Sequence, residues 1–166
     1  MMKKFIVVLA LVLAMLTLLS CATDEPASGD DATWSFVYNG ATITPGEEFA
    51  AVSEKLGEPS GYYEAASCAF DGKDKIYTYG SLQISVSPLD GADIIYMVTL
   101  LDDSLATPEG ICVGAQKSAV INAYGKGEDK GSSVTYRKGK VDLVFLIRDD
   151  CVTSVQYRYV DAVIES

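Results

Sequence analysis

The sequence predicts an α+β fold, in which a short helical segment followed by a three- or four-stranded antiparallel meander occurs as two tandem repeats. The phrase PGEEFAAVSEKLG at residues 45–57 returns as CVGAQKSAVINAYG at residues 112–125, with a Gly, a Val and a final Gly each 68 positions apart. Strand-like runs follow both copies, and turns containing Gly or Asp separate those runs. One such unit covers only one face of a small sheet, so we expect the second copy to extend the surface.

The N-terminus has the features of a secretory signal. Two lysines precede an unbroken apolar run, and residues 1–20 are therefore predicted to be a signal peptide. The LLSC ending resembles a bacterial lipoprotein box, which implies cleavage before Cys21 and a diacylglycerol on its sulfur. The lipid on Cys21 would make a bacterial membrane a partner, with the protein facing outside the cytoplasm. An ordinary signal peptide in which Cys21 is incidental is the alternative.

The segment after the signal is acidic and lacks large apolar side chains. Residues 21–33 are predicted to be a flexible tether, because residues 22–33 hold four acids and cannot bury enough surface to order themselves. The whole chain has 13 basic and 23 acidic residues, and loss of residues 1–20 removes two lysines, which leaves 11 minus 23, or −12. This charge repels nucleic acid, which we exclude as a partner.

Two domains are predicted to follow the tether. Residues 34–104 form the first helix-plus-sheet repeat, and residues 105–166 form the second. The first repeat has a leading hairpin around Asn39 and Gly40, a dipeptide that tolerates the positive φ angles of a tight turn.

Each predicted helix is read from apolar spacing. Phe49, Val52 and Leu56 lie three and four positions apart and share one helical face. Gly57 follows, where the end of a helix favours a left-handed backbone, and Gly125 follows the second helix in the same way.

The predicted strands are read from alternation. In LQISVSP, Leu82, Ile84 and Val86 alternate with polar residues, which is typical of a strand with one wet face. The other predicted strands are SCAF, DKIYTYG and DIIYMVTLL in the first repeat, and SVTYRKG, KVDLVFLIR and CVTSVQYRYV in the second.

Two phrases carry a family resemblance. ITPGEEFAAVSEKLGEP resembles the opening of small lipoproteins related to the outer-membrane assembly factor BamE (SmpA/OmlA), and the tandem arrangement resembles the β-lactamase inhibitor protein, BLIP. TPEGICVGAQKSAVINAYGKG is similar to the same opening but lacks its Leu and Pro. The resemblance covers residues 42–160 and implies a BLIP-like fold that recognises another protein, by inhibition or in assembly. It transfers no partner-binding residue to this chain.

Three cysteines remain once Cys21 is assigned to lipid. Cys68, Cys112 and Cys151 would lie in a compartment where disulfides persist. Cys112 precedes the second helix and Cys151 follows a turn, so both lie at element ends and we predict that they form a disulfide. A Cys68–Cys112 bridge and no bridge are the alternatives.

The chain contains no histidine. This excludes Ser-His-Asp and Cys-His catalysis and every zinc site that needs histidine. The acid pairs at 102–103 and 149–150 are interpreted as solvated turns, because calcium loops need more oxygen ligands than either pair offers. We therefore predict a protein that is not an enzyme and uses no cofactor and no metal. An enzyme that uses only carboxylates, with two acids from distant strands in one cleft, is the alternative.

Ten tyrosines are the most suggestive side chains. Tyr77 and Tyr79 share one face of a strand, and so do Tyr157 and Tyr159. Tyrosine supplies rigid contact area with a polar tip. We predict that these four residues form a tyrosine-bearing sheet face that binds another protein. The alternative is a lipoprotein that binds a small ligand or a cell-wall glycan, with tyrosines as stacking platforms.

Overall fold

A computed structural model describes residues 32–160 of the protein, which form ten strands and two helices. The strands are β1 (Phe36–Tyr38), β2 (Ala41–Ile43), β3 (Gly61–Ala66), β4 (Lys73–Tyr79), β5 (Leu82–Leu89), β6 (Ala92–Leu100), β7 (Glu128–Asp129), β8 (Ser133–Lys138), β9 (Val141–Arg148) and β10 (Cys151–Tyr159). The helices are α1 (Ala50–Leu56) and α2 (Lys117–Tyr124). Neither of these helices is long and apolar enough to cross a membrane.

Strands β3 to β10 form one antiparallel sheet of eight strands, in the order β3-β4-β5-β6-β10-β9-β8-β7. Strands β1 and β2 form a separate hairpin. The two halves of the large sheet join where β6 pairs with β10, with Leu100 opposite Val155 and Val98 opposite Tyr157.

The predicted α+β class, with two tandem helix-plus-meander repeats, is wrong. The chain is mostly β, and one continuous sheet runs through both predicted repeats. The helices have only seven and eight residues, whereas β6 and β10 have nine residues each and pair with each other. Alternation along a strand indicates which residues share a face but not which strand lies beside it, so the sequence pattern did not reveal the shared sheet.

Tight turns between neighbouring strands use residues with a left-handed backbone. Asn39 and Gly40, between β1 and β2, have φ angles of 49° and 79°. Asp149 and Asp150, between β9 and β10, have φ angles of 52° and 58°. Positive φ at both central residues matches the twist of antiparallel strands, and Asn and Asp tolerate it better than most residues.

The hydrophobic core lies on one face of the sheet, which we call the helix face. Its residues come from α1, α2, the β1–β2 hairpin, the loop before α2 and alternate positions of the large sheet. Its largest fully buried side chains are Tyr157, Phe145, Ile43, Leu82, Ile84 and Ile95. Burial of one large aliphatic or aromatic side chain contributes about 1.5–3 kcal/mol, so this single layer supplies most of the stability.

Each helix is held over this face by the turn that precedes it. The Gly46 amide donates to the Ile95 carbonyl in β6 at 2.8 Å, and the Gly114 amide donates to the Val152 carbonyl in β10 at 2.7 Å. Both glycines have positive φ, 97° and 88°. These backbone bonds fix which side of the sheet is covered.

Candidate functional site

The face of the sheet opposite the helices carries two rows of paired side chains. The first row crosses all eight strands and consists of Gly61, Thr78, Gln83, Thr99, Gln156, Val144, Thr135 and Glu128. The second row lies two residues away and consists of Tyr63, Ile76, Ser85, Met97, Arg158, Asp142 and Arg137. We call these two rows the open face.

The open face is a polar surface. None of its residues belongs to the core cluster formed by the described residues. Most of its side chains are half-buried or exposed, and only Thr99, Asp142 and Val144 are buried. Val144 lies between Gln156 and Thr135 on the neighbouring strands, which shield it although it is outside the core. The Thr99 hydroxyl is buried and has no hydrogen-bond partner among residues 32–160.

A carboxylate between two arginines marks one end of the open face. Asp142 is only 3% exposed, and it accepts two hydrogen bonds from the Arg137 guanidinium, at 2.7 and 2.9 Å. Arg158, on the other neighbouring strand, lies 3.9 Å from the same carboxylate. Paired hydrogen bonds between charged groups are stronger than neutral ones, so Arg137 and Asp142 hold the side chains of β8 and β9 together at this point.

The opposite end of the sheet carries an aromatic cluster on the helix face. The Tyr77 ring stacks on Phe49, the residue just before α1, with centroids 4.2 Å apart and an interplanar angle of 19°. The Tyr62 ring of β3 lies 5.0 Å from Tyr77. We call Phe49, Tyr62 and Tyr77 the aromatic corner. A cavity of about 350 Å³ opens beside it, lined by Phe49, Ser53, Glu54, Gly57, Glu58, Pro59, Tyr77 and Tyr79.

Strand β3, next to this corner, is an exposed edge of the sheet. It pairs only with β4, and five of its six residues are exposed. Tyr62 and Tyr63 are 52% and 62% exposed and point to opposite faces. An edge strand with unpaired backbone groups can accept another strand.

Charged contacts order the side chains of this edge. The Tyr62 hydroxyl donates to the Glu64 carboxylate at 2.6 Å, and the Lys73 ammonium of β4 forms an ion pair with the same carboxylate. The hydrogen bond to Glu64 raises the pKa of Tyr62 to about 12. The hydrogen bond from Lys73, followed by that from Tyr62, lowers the pKa of Glu64 below its usual value. Tyr62 is therefore a hydrogen-bond donor at neutral pH.

A larger cavity, about 540 Å³, lies where the short strand β7 leaves part of β8 unpaired. It is lined by Trp34, Lys126, Gly127, Glu128, Thr135, Tyr136, Arg137 and Asp142. The Trp34 indole donates to the Tyr136 carbonyl at 2.9 Å, and the Lys138 ammonium lies 4.9 Å from the Trp34 ring centroid. The cavity thus combines an aromatic face with groups of both charges.

The four predicted binding tyrosines lie on the helix face and not on the open face. Tyr79 and Tyr157 are buried in the core, and burial raises the pKa of both phenols. Tyr77 and Tyr159 are half-buried, and Tyr77 is stacked under Phe49. The prediction that these residues form an exposed binding face is therefore corrected: the tyrosines share a face, but the helices and the hairpin pack over it.

The predicted disulfide between Cys112 and Cys151 is not formed, and Cys68, Cys112 and Cys151 are free thiols. Cys151 lies opposite Gln116 in an isolated bridge, and its sulfur accepts a hydrogen bond from the Gln116 side chain at 3.2 Å. This contact points the Cys151 side chain at Gln116.

Cys21, the predicted signal peptide and most of the predicted tether lie outside the described residues. Within residues 32–160, no three Cys, Asp or Glu side chains gather in a group that could hold a metal ion.

Tyr62, Tyr63 and the Asp142 cluster were not among the predicted site residues. Tyr62 and Tyr63 stand outside the strands read from alternation, because GYYEAA has no apolar alternation. Asp142 lies within the run KVDLVFLIR, where a single acid among apolar residues does not indicate its partners. The three charged residues of the cluster, Asp142, Arg137 and Arg158, lie in three separate strand-like segments of the sequence. The sequence does not show that these segments pair with one another.

No family model and no curated protein matches the chain. Among solved structures, the chain is similar to an extracellular protein containing an SCP domain from Bacillus anthracis strain Ames, with 13% identity and a TM-score of 0.42 over 73% of this chain. It spans only 45% of that protein. It is also similar to a DUF4309 family protein, YjgB, from Bacillus subtilis, with 15% identity and a TM-score of 0.43 over 70% of this chain and 81% of that chain.

Proposed function

We propose that the chain is a lipid-anchored, extracytoplasmic protein, not an enzyme, that binds another protein through the open face. The observation that carries this proposal is the one-sided core. Every buried apolar side chain of the core cluster lies on the helix face, while two rows of side chains across the other face lie outside that cluster.

The size of the open face suits a protein partner. Seven spacings of about 4.8 Å between eight strands make the first row about 34 Å long. Stable protein interfaces bury about 800 Å² on each partner, which needs a broad surface of this kind and not a narrow cleft.

The chemistry of the open face also suits a protein partner. Ile76 and Met97 provide apolar contact on either side of Ser85 in the second row. Arg158 is half-buried and lies 3.9 Å from Asp142, beyond hydrogen-bond distance. Its guanidinium can therefore donate to a carboxylate or carbonyl of the partner, and arginine is enriched in interface hot spots.

Anchoring is supported by the sequence alone. The LLSC ending and the acidic segment after it indicate a lipid on Cys21 and a tether that holds residues 34–160 away from the membrane surface. A Cys21→Ala variant should move from the membrane fraction to the soluble fraction of the same cells. Retention of this variant in the membrane fraction would contradict the anchor.

The open face is tested by photo-crosslinking in intact cells with the acylated full-length protein. A photoreactive phenylalanine at Gln156, in the middle of the open face, should give a discrete crosslinked product with one other protein. Asn122 on exposed α2 is the matched control, since it is also an amide side chain at the surface, and it should not give that product. Equal products from both positions, or none from Gln156, would overturn the proposal.

A second candidate function, glycan binding, is favoured by the cavity beside Trp34. Indole rings stack on sugars, and the cavity of about 540 Å³ also offers Glu128 and Arg137 for hydrogen bonds. Trp34 is the single tryptophan of the chain, so its fluorescence reports directly on this cavity. A change in that emission on titration with soluble peptidoglycan fragments would support glycan binding, and no change at millimolar fragment would exclude it.

A further inference from the structure

A second surface, separate from the open face, lies where β3 meets the aromatic corner. We infer that this edge binds an extended peptide segment carrying lysine or arginine, which adds as a ninth strand beside β3 and places a cationic side chain in the cavity under α1. The inference does not depend on the open face, because Tyr62, Glu64 and Ala66 and the residues that line the cavity lie outside both of its rows.

The backbone of β3 is arranged to accept a strand. The Ser67 amide donates to the Gly72 carbonyl at 3.0 Å, at the end of the β3–β4 ladder. In an antiparallel ladder, residue pairs that exchange backbone hydrogen bonds alternate with pairs that do not. Because Ser67 and Gly72 are hydrogen-bonded, Tyr62, Glu64 and Ala66 lie in the pairs that are not, and their backbone groups point away from β4. Three amides and three carbonyls therefore face outward, and no proline lies within the strand to block them.

The side chains beside this edge select the occupant. Residues of β3 with outward backbone groups place their side chains on the helix face, since Tyr62 contacts Tyr77 there. An incoming residue opposite Tyr62 would point its side chain the same way. A long side chain could then pass over the Tyr62 ring towards Tyr77 and the cavity that Tyr77 lines.

The cavity favours a cation. Glu54 and Glu58 line it, and neither carboxylate forms an ion pair with another described residue. The stacked rings of Phe49 and Tyr77 supply an aromatic wall. Carboxylates and aromatic rings together attract an ammonium or guanidinium group. Extended binding by main-chain hydrogen bonds, with specificity from one side-chain pocket, is an established mode of peptide recognition.

The charge of the chain argues against two other occupants. A second copy would bring together two bodies that each carry a formal charge of −12 once residues 1–20, with Lys3 and Lys4, are removed, since 11 basic residues minus 23 acidic residues is −12. The acidic segment at residues 22–33 has the wrong sign for a cavity lined by Glu54 and Glu58. A basic segment of another protein matches the site.

The test uses two synthetic peptides and nuclear magnetic resonance of the full-length protein in detergent micelles. The probe is a seven-residue peptide in which threonine and lysine alternate, and its control has glutamine in place of every lysine. The lysine peptide should shift the amide signals of Tyr62, Glu64 and Ala66 and the ring signals of Phe49 and Tyr77. The glutamine peptide should bind at least about fivefold more weakly, because it has no charge to pair with the carboxylates of Glu54 and Glu58.

A charge variant and a modified peptide sharpen the test. The double variant Glu54→Gln/Glu58→Gln should weaken the lysine peptide about fivefold without a change in thermal unfolding, since both residues are exposed. A lysine peptide with methylated backbone amides should no longer shift the amide signals of β3, because it cannot donate main-chain hydrogen bonds to the strand. Equal binding of the lysine and glutamine peptides, or shifts confined to the open face, would overturn the inference. A dimer that pairs through β3 would also overturn the inference. Sedimentation would detect the dimer, and shifts of the β3 amide signals without peptide would locate it.

Discussion

Strands β9 and β3 belong to one sheet, yet one is buried and the other is exposed. The first five residues of β9 are buried, on both of its faces, whereas residues 62–66 of β3 are exposed. Strand β9 lies between β10 and β8, while β3 has β4 as its single neighbour. The residues that stabilise the fold and the residues that are accessible to a partner therefore lie in different strands of the sheet. Substitutions in β9 should change stability more than substitutions in β3.

The largest effect is expected at Phe145 of β9. Its side chain is fully buried, and its ring lies 5.3 Å from Tyr124 and 6.1 Å from Tyr136. Phe145→Ala removes the centre of this cluster, and truncation of a buried aromatic costs about 3–5 kcal/mol. Urea unfolding, followed by circular dichroism, should show this loss in the free energy of unfolding.

The matching substitution in β3 is Tyr63→Ala. Because Tyr63 is exposed, its removal should change the free energy of unfolding by no more than about 0.5 kcal/mol. Similar losses at Phe145 and Tyr63 would contradict the distinction between a buried strand and an accessible edge.

A second prediction compares the turns that hold α1 and α2. A Cβ atom at Gly46 would lie 2.6 Å from the Tyr159 ring, whereas a Cβ at Gly114 meets nothing within 4 Å. Both residues have positive φ, so both alanine variants carry the backbone strain of about 1–2 kcal/mol. Gly46→Ala should lose about 1–3 kcal/mol more in the free energy of unfolding, because of the steric overlap.

A double-mutant cycle with Tyr159→Ala separates backbone strain at Gly46 from steric overlap with the Tyr159 ring. The excess loss of Gly46→Ala should shrink in the Tyr159→Ala background, since the ring that obstructs the new methyl group is gone. If the loss at Gly46 is the same in both backgrounds, the ring contact does not set the difference between the two turns.

The third prediction concerns paired carboxylates in the two strands. Asp142→Asn in β9 removes the charge that holds Arg137, and hydrogen bonds to charged groups contribute about 1.5–3 kcal/mol. Glu64→Gln in β3 removes an exposed ion pair with Lys73 and should cost measurably less in the same unfolding experiment. Equal costs would show that burial of Asp142 adds nothing to its contact with Arg137.

Much of the secondary structure could be predicted from local sequence. Asn39 and Gly40 form the tight turn that their backbone preferences favour, and Leu82, Ile84 and Val86 share the buried face that their alternation predicts. The pairing of β6 with β10 could not be predicted, because it joins residues more than 50 positions apart, and no local pattern specifies a distant neighbour.

The candidate site was harder to predict for a related reason. Alternation placed Tyr77 and Tyr79 on one face correctly, but it does not say which face the helices cover. Backbone bonds such as that from Gly46 to Ile95 decide this. The exposed tyrosines, Tyr62 and Tyr63, lie at the sheet edge, and their position follows from strand order and not from composition.

The smallest expected effect is on the titration of Tyr62, which tests whether the β3 edge is ordered before a partner arrives. The phenol donates to Glu64 only while it is protonated, which is why its pKa is raised to about 12. Glu64→Gln should therefore move the Tyr62 pKa back towards 10, its ordinary value. Carbon magnetic resonance of the tyrosine ζ carbons measures this change, with Tyr62→Phe to assign the signal.

The sign of each shift gives the pH window of these contacts. A raised pKa at Tyr62 means that its contact stabilises the folded edge below the ordinary tyrosine value and is lost as pH rises through about 12. A lowered pKa at Glu64 means that its contacts with Lys73 and Tyr62 are present above the ordinary glutamate value and are lost as pH falls through the lowered one. The edge should therefore keep its order across neutral pH, and an unchanged Tyr62 titration in Glu64→Gln would show instead that the edge is not organised by this carboxylate.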